Sequence, residues 1–188
     1  MSLNIAVIYG SVRENRQGIK AAKFLVNKLL ERNHNAVLID PAEYKLPFLG
    51  KTYKEYKNDE APAELKTLSG HLKNADAYIV VTAEYNHNMP PVLTNLMSYF
   101  GKEYERKVAG IVSYSNGPFG GVRAAIVARE FLATLGIAVV PAVFPISSVQ
   151  TSFDDDGNVL DEKYDKRSEK FLSDFEWYAS TLKTGREN

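Results

Sequence analysis

The chain has 188 residues, 45% hydrophobic and 24% charged, with 23 Lys plus Arg against 23 Asp plus Glu. That length supports one self-sufficient hydrophobic core, and residues 1–188 read as a single domain. Cysteine is absent, which excludes disulfides, thiolate metal sites and thiol nucleophiles, while a formal net charge of zero argues against tracking a nucleic-acid backbone or an anionic membrane.

The opening MSLNIAVIYG lacks the basic flank and small-residue cleavage site of a signal peptide, and no apolar run approaches a membrane span. A cytoplasmic protein is expected. Five short apolar runs at 4–9, 36–40, 77–82, 108–113 and 137–140 are nearly continuous rather than alternating, which predicts strands buried on both faces. Between them, helical spacing appears in Ile19, Ala22, Val26, Leu29 and Leu30, then in Val122, Ala125, Ile126, Leu132 and Leu135, with Gly136 as C-cap. Phe171, Phe175, Tyr178 and Leu182 share one face of a last helix, and the tail at 183–188 is expected to fray. The polar stretch 43–62, with Tyr44, Tyr53 and Tyr56 among lysines, reads as a long excursion.

Strands alternating with helices imply right-handed parallel crossovers, hence an α/β three-layer sandwich. Five strands favour the flavodoxin-like order 2-1-3-4-5, in which ligands bind beyond the carboxyl ends of the strands, where the order reverses. Three loops then carry the interest: 10–18, 83–91 and 114–121. The first, GSVRENRQG, precedes an amphipathic helix and combines a small hydroxyl, two guanidinium groups and a helix start, the outline of an anion cradle. It has neither the Gly-Lys-Ser/Thr of a P-loop nor G-x-G-x-x-G, so a monophosphate fits better than a nucleotide triphosphate or dinucleotide. A capped turn with solvated arginines is the plainer alternative. In the second loop, Tyr85 between Glu84 and Asn86 could lie against a planar heterocycle. Glycines of the third loop allow close backbone approach.

Together GSVRENRQG, AEYNHNMPPVLTN and SYSNGPFGGVRAA resemble the NADPH-dependent FMN reductase family, with its azo, quinone and chromate reductase relatives; the resemblance runs over nearly the whole chain, including FDDDGNVLDE. It implies an FMN phosphate on Ser11, Arg13 and Gln17 with backbone contacts at Gly18 and Ile19. It also implies a flavin ring and ribityl chain lined by Glu84, Tyr85 and Asn86, and a pyrimidine edge approached by Ser115, Gly117 and Gly120. The implied activity is hydride transfer from NADPH, with NADH as the alternative donor, through bound FMN to a small-molecule acceptor such as a quinone, azo compound, flavin or metal oxyanion. Such chemistry belongs to the flavin, so no catalytic side chain and no metal is assigned. A homodimer or homotetramer is implied too. The chain departs from the family pattern at Ala83, Thr94 and Ser98, where Pro, Lys and Asp are usual; loss of the Lys–Asp charge pair bears on subunit contacts.

Two other readings compete with the reductase. A flavodoxin-type electron carrier would bind the same cofactor, but such carriers are strongly acidic and this chain is neutral. A hydrolase or non-catalytic ligand-binding module of the same fold needs other groups, and Ser113-Tyr114-Ser115-Asn116-Gly117 lacks the first Gly of G-x-S-x-G. His34 and His71 read as surface residues, and His87 alone is placed to meet a ligand, a surface role being at least an equal alternative. Asp154-Asp155-Asp156-Gly157 fails calcium-loop spacing and reads as a turn.

Overall fold

The near-continuous apolar runs form five strands in the computed structural model, which describes residues 1–57 and 60–187. They are β1 (Asn4–Tyr9), β2 (Asn35–Ile39), β3 (Ala77–Ala83), β4 (Val108–Tyr114) and β5 (Ala138–Ile146). All pair in parallel in the order β2-β1-β3-β4-β5, the flavodoxin-like arrangement. Every residue of β3 and β4 is buried, which is why those runs show no alternation.

Among the described residues, seven α-helices connect and follow the strands: α1 (Gly18–Glu31), α2 (Pro41–Tyr44), α3 (Ala63–Asn74), α4 (Pro91–Ser98), α5 (Val122–Thr134), α6 (Val149–Ser152) and α7 (Lys163–Glu187). One face of the sheet is covered by α1 and α7, through Phe24, Leu25, Phe171 and Phe175. On the other face lie α3, α4 and α5, through Leu68, Leu93, Leu96 and Leu132. Full burial of each such side chain contributes about 1.5–3 kcal/mol. Gly136 adopts a left-handed conformation after α5, as its C-cap reading requires.

Four expectations need correction. The fifth strand does not stop at 140 but runs through Pro141 and Pro145 to Ile146. Those prolines are tolerated because β5 is an edge strand with one unpaired side, and the register shifts between Ala109 and Ile111, opposite Pro141. Leu30, Val122 and Ile126 are exposed rather than part of the buried helix faces. His34 is not a solvated surface residue: it is buried, its Nδ1 accepts the Leu3 N–H at 3.2 Å and its Nε2 lies 3.0 Å from Glu176. The tail continues as helix through Glu187, because Lys183 and Arg186 both reach Asp76 and Arg186 also donates to the Arg106 carbonyl at 2.9 Å; Asn188 lies outside the described residues.

The excursion after α2 runs beside α4: Leu49 N–H donates to Asn95 Oδ1 at 2.9 Å and Tyr53 N–H to the Tyr99 carbonyl at 2.8 Å. Asn58 and Asp59 of that stretch lie outside the described residues. Asp154 closes its turn on the N–H groups of Asp156 and Asn158, and Gly157 sits against the backbone of α1, where a Cβ would come within 2.5 Å of Phe24 N. No helix among the described residues is long and apolar enough to cross a membrane.

Candidate cofactor-binding site

The three loops leave the carboxyl ends of β1, β3 and β4, beside the point where strand order reverses. Gly10 continues β1 with its N–H on the Val81 carbonyl at 3.0 Å, and a Cβ there would lie 2.8 Å from Leu93 Cδ2. Ser11 is buried, with its hydroxyl 2.8 Å from that of Tyr85, so the first and second loops are joined side chain to side chain. The Arg13 N–H donates to Ser11 Oγ at 3.3 Å.

The two guanidinium groups differ. Arg16 grips both carboxylate oxygens of the buried Asp40 and donates to the Ser11 carbonyl at 3.0 Å, and this pairing raises its pKa further. Arg13 is exposed, lies 5.8 Å over the Tyr85 ring and has no acidic partner among the described residues. Gln17 precedes α1 without capping it, its amide donating to the Asn15 carbonyl at 3.0 Å. The N–H groups of Gly18 and Ile19 stand in a first turn that no intrahelical carbonyl can reach. Glu14, the acid of this loop, is exposed.

Gly18 is fixed by a neighbour that local sequence does not show. A Cβ on it would lie 2.0 to 2.4 Å from three atoms of the Tyr114 ring. Tyr114 is buried and donates its hydroxyl to that of Tyr9 at 3.0 Å, while Arg16 sits 5.4 Å from the Tyr9 ring centre. Burial raises the pKa of both tyrosines, so both stay neutral. Tyr9 and Tyr114 were not among the residues expected from sequence; their one signal is a tyrosine at the carboxyl end of two buried strands.

In the second loop, Asn86 and His87 are both left-handed, making a two-residue hairpin closed by Tyr85 N–H to Asn88 O at 2.9 Å and Asn88 N–H to Tyr85 O at 3.0 Å. Asn86 and His87 are exposed at its tip. The Glu84 carboxylate accepts the N–H groups of Arg123 at 3.0 Å and Ala124 at 3.4 Å, which occupies the N-terminus of α5. Arg123 adds a guanidinium contact at 3.4 Å.

The third loop is held by its backbone. Ser115 N–H donates to the Ile146 carbonyl at 3.1 Å, and its hydroxyl to the Gly117 carbonyl at 3.0 Å. Gly120 and Gly121 have φ of +63° and +73°, and a Cβ on Gly121 would lie 2.7 Å from the Tyr114 carbonyl oxygen. Gly117 faces open space. A cleft of about 300 Å³ lies between the loops, lined by Ser11, Arg13, Gln17, Ala83, Tyr85 and Asn116 among others. The structure thus gathers Ser11, Arg13, Gln17 and Tyr85 around one space, with Ser115, Gly117 and Gly120 in the loop that contributes Asn116. A larger cleft of about 400 Å³, against Tyr53 and Phe100, is lined by none of the three loops.

The family model for NADPH-dependent FMN reductases matches residues 3–151. The chain belongs to this family. Membership makes it a flavin-dependent oxidoreductase that uses FMN and NAD(P)H. Over 186 residues the chain is 25% identical to the 2-hydroxy-1,4-benzoquinone reductase of a Burkholderia species, covering 93% of this chain and 95% of that relative. It is 31% identical over 116 residues to the NADH:(hydroxy)cinnamate reductase subunit CrdA of Vibrio ruber, a match over 58% of this chain that spans only 57% of that relative's length. Among solved structures, the flavoenzyme NAD(P)H:(acceptor) oxidoreductase FerB from Paracoccus denitrificans shares the fold with a TM-score of 0.71 at 22% identity, over 97% of this chain and 98% of that one.

The residues present fit the phosphate end of the family's cofactor. A hydroxyl, an unpaired guanidinium and the amides of an open helix turn are all donors suited to an anion, and Gly18 keeps the turn free of side-chain bulk.

Proposed function

We propose that Ser11, Arg13 and Gln17, with the backbone N–H groups of Gly18 and Ile19, hold the FMN phosphate. The observation that carries this reading is the unfinished start of α1, beside the same cleft as a guanidinium that has no acidic partner among the described residues. Tyr85 borders the flavin beside Asn86, with Ser115, Gly117 and Gly120 on the opposite loop. Glu84 contributes from behind, tying the second loop to α5. When bound, the flavin supplies the redox chemistry, accepting hydride from NAD(P)H and returning it to an acceptor. The chain's own work is binding, orientation and exclusion of water from the ring. No side chain is assigned as acid or base.

We infer a quinone-class acceptor, supported by the match over nearly full length to a benzoquinone reductase. A homodimer or homotetramer working in the cytoplasm completes the reading. Val12, beside the cleft, and Phe48 and Leu49 of the excursion are exposed apolar residues suited to a subunit contact. The test is steady-state NAD(P)H oxidation by the purified protein with a benzoquinone as acceptor. Turnover without any added protein supports the reductase; absence of turnover until a second reductase is supplied would favour an electron carrier instead.

A further inference from the structure

We propose that Tyr9 and Tyr114 act as one positioning unit beneath the first loop and make the site selective for a phosphorylated flavin over its unphosphorylated form. This rests on the phosphate reading above. Strands β1 and β4 are not neighbours, since β3 runs between them. Tyr9 is in register with Val81 and Tyr114 with Ala83. All four side chains belong to the same face of the sheet. Ala83 carries only a methyl group, which leaves room for the two rings to meet over β3, centres 6.1 Å apart and planes 18° apart. The hydroxyl bond at 3.0 Å locks them together.

Both ends of the loop rest on this pair. At one end the Tyr114 ring occupies the space of any side chain at position 18 and so sets the level of the first turn of α1. At the other, the Tyr9 ring supports Arg16, and Arg16 holds the Ser11 carbonyl. Neither tyrosine is a catalytic residue; each acts through the donors it places.

The experiment titrates the full chain, stripped of flavin, with FMN and with riboflavin, for wild type, Tyr9→Phe, Tyr114→Phe and the double variant. Phenylalanine keeps each ring and removes the hydroxyl, with its bond to the other tyrosine and its interaction with the Ser11 hydroxyl. Each single variant is expected to weaken FMN about twofold to twelvefold, the range of one neutral hydrogen bond, and to leave riboflavin affinity unchanged. Because the two hydroxyls share one bond, the double variant is expected to lose less than the two single ones together. Equal loss of both ligands would show a merely structural pair and overturn the proposal, as would an unchanged ratio in every variant. If wild type itself binds riboflavin as tightly as FMN, the phosphate reading fails first, and that result is visible before any variant is made.

Discussion

Two helices begin at the carboxyl edge of the sheet on either side of β3, and they are finished differently. The start of α5 is closed from within, by the Glu84 carboxylate on the N–H groups of Arg123 and Ala124. The start of α1 has no side-chain cap and no acid in its first turn. A helix start carries roughly half a positive charge, which a carboxylate stabilises wherever it comes from. One start is satisfied by the chain itself, while the other is left to a group from outside. Between them α4 opens with Pro90 and Pro91, which have no N–H to offer. The difference locates the anion site more sharply than the loop sequences do.

The largest effect expected from this contrast is on Arg13. Arg13→Ala should weaken FMN by about 1.5–3 kcal/mol, the worth of a hydrogen bond to a charged group, with riboflavin affinity unaltered; titration of both ligands checks it, and unchanged FMN affinity removes Arg13 from the site. Next comes Gly18→Ala, which pushes a methyl into the Tyr114 ring. About 1–3 kcal/mol of stability should be lost in denaturant unfolding, together with flavin affinity, and an unperturbed midpoint would contradict the packing described. Glu84→Ala breaks the contrast from the other side by opening α5. The cost expected is about 0.5–2 kcal/mol of stability with the FMN to riboflavin ratio unchanged; a changed ratio would mean that the start of α5 also serves the phosphate.

A second closed helix end lies far from the loops. Lys107 is buried and donates to the Leu72 and Lys73 carbonyls at 2.7 and 2.8 Å, closing the C-terminal end of α3 as Glu84 closes the start of α5. Burial pushes its pKa down to about 8, Arg186 acting in the same direction while Asp76 and Glu103 oppose it. The folded value lies below the unfolded value of about 10.4, so the unfolded chain binds more protons between them. The contribution of Lys107 to stability is therefore expected to rise as pH goes from about 8 to about 10, while the buried tyrosines, whose pKa values burial raises, give the opposite slope as pH approaches 10. Lys107→Met should abolish that rise in unfolding curves taken across the range.

The fold was legible because buried parallel strands write themselves as continuous apolar runs, and four of the five were found within one or two residues of their ends. The fifth was cut short at Pro141, since a proline stops a strand reading unless the strand is known to lie at an edge. Within the site, the loop itself could be read from a hydroxyl, two arginines and a helix start in nine residues. Which arginine was free could not: Asp40 comes from the end of β2, and only the three-dimensional structure brings it onto Arg16. The same holds for Glu84, whose partners are 39 and 40 residues away, and for Tyr9 and Tyr114, 105 residues apart. Residues that act locally showed in the sequence, whereas those that act across strands did not.

The central claim is that the open start of α1 holds the phosphate of FMN. Isothermal titration of the flavin-free wild-type protein with FMN and with riboflavin tests it most directly. FMN is expected to bind about a hundredfold more tightly or better, as two charge-assisted hydrogen bonds of about 1.5 kcal/mol each would give. Equal affinities for the two would contradict the account.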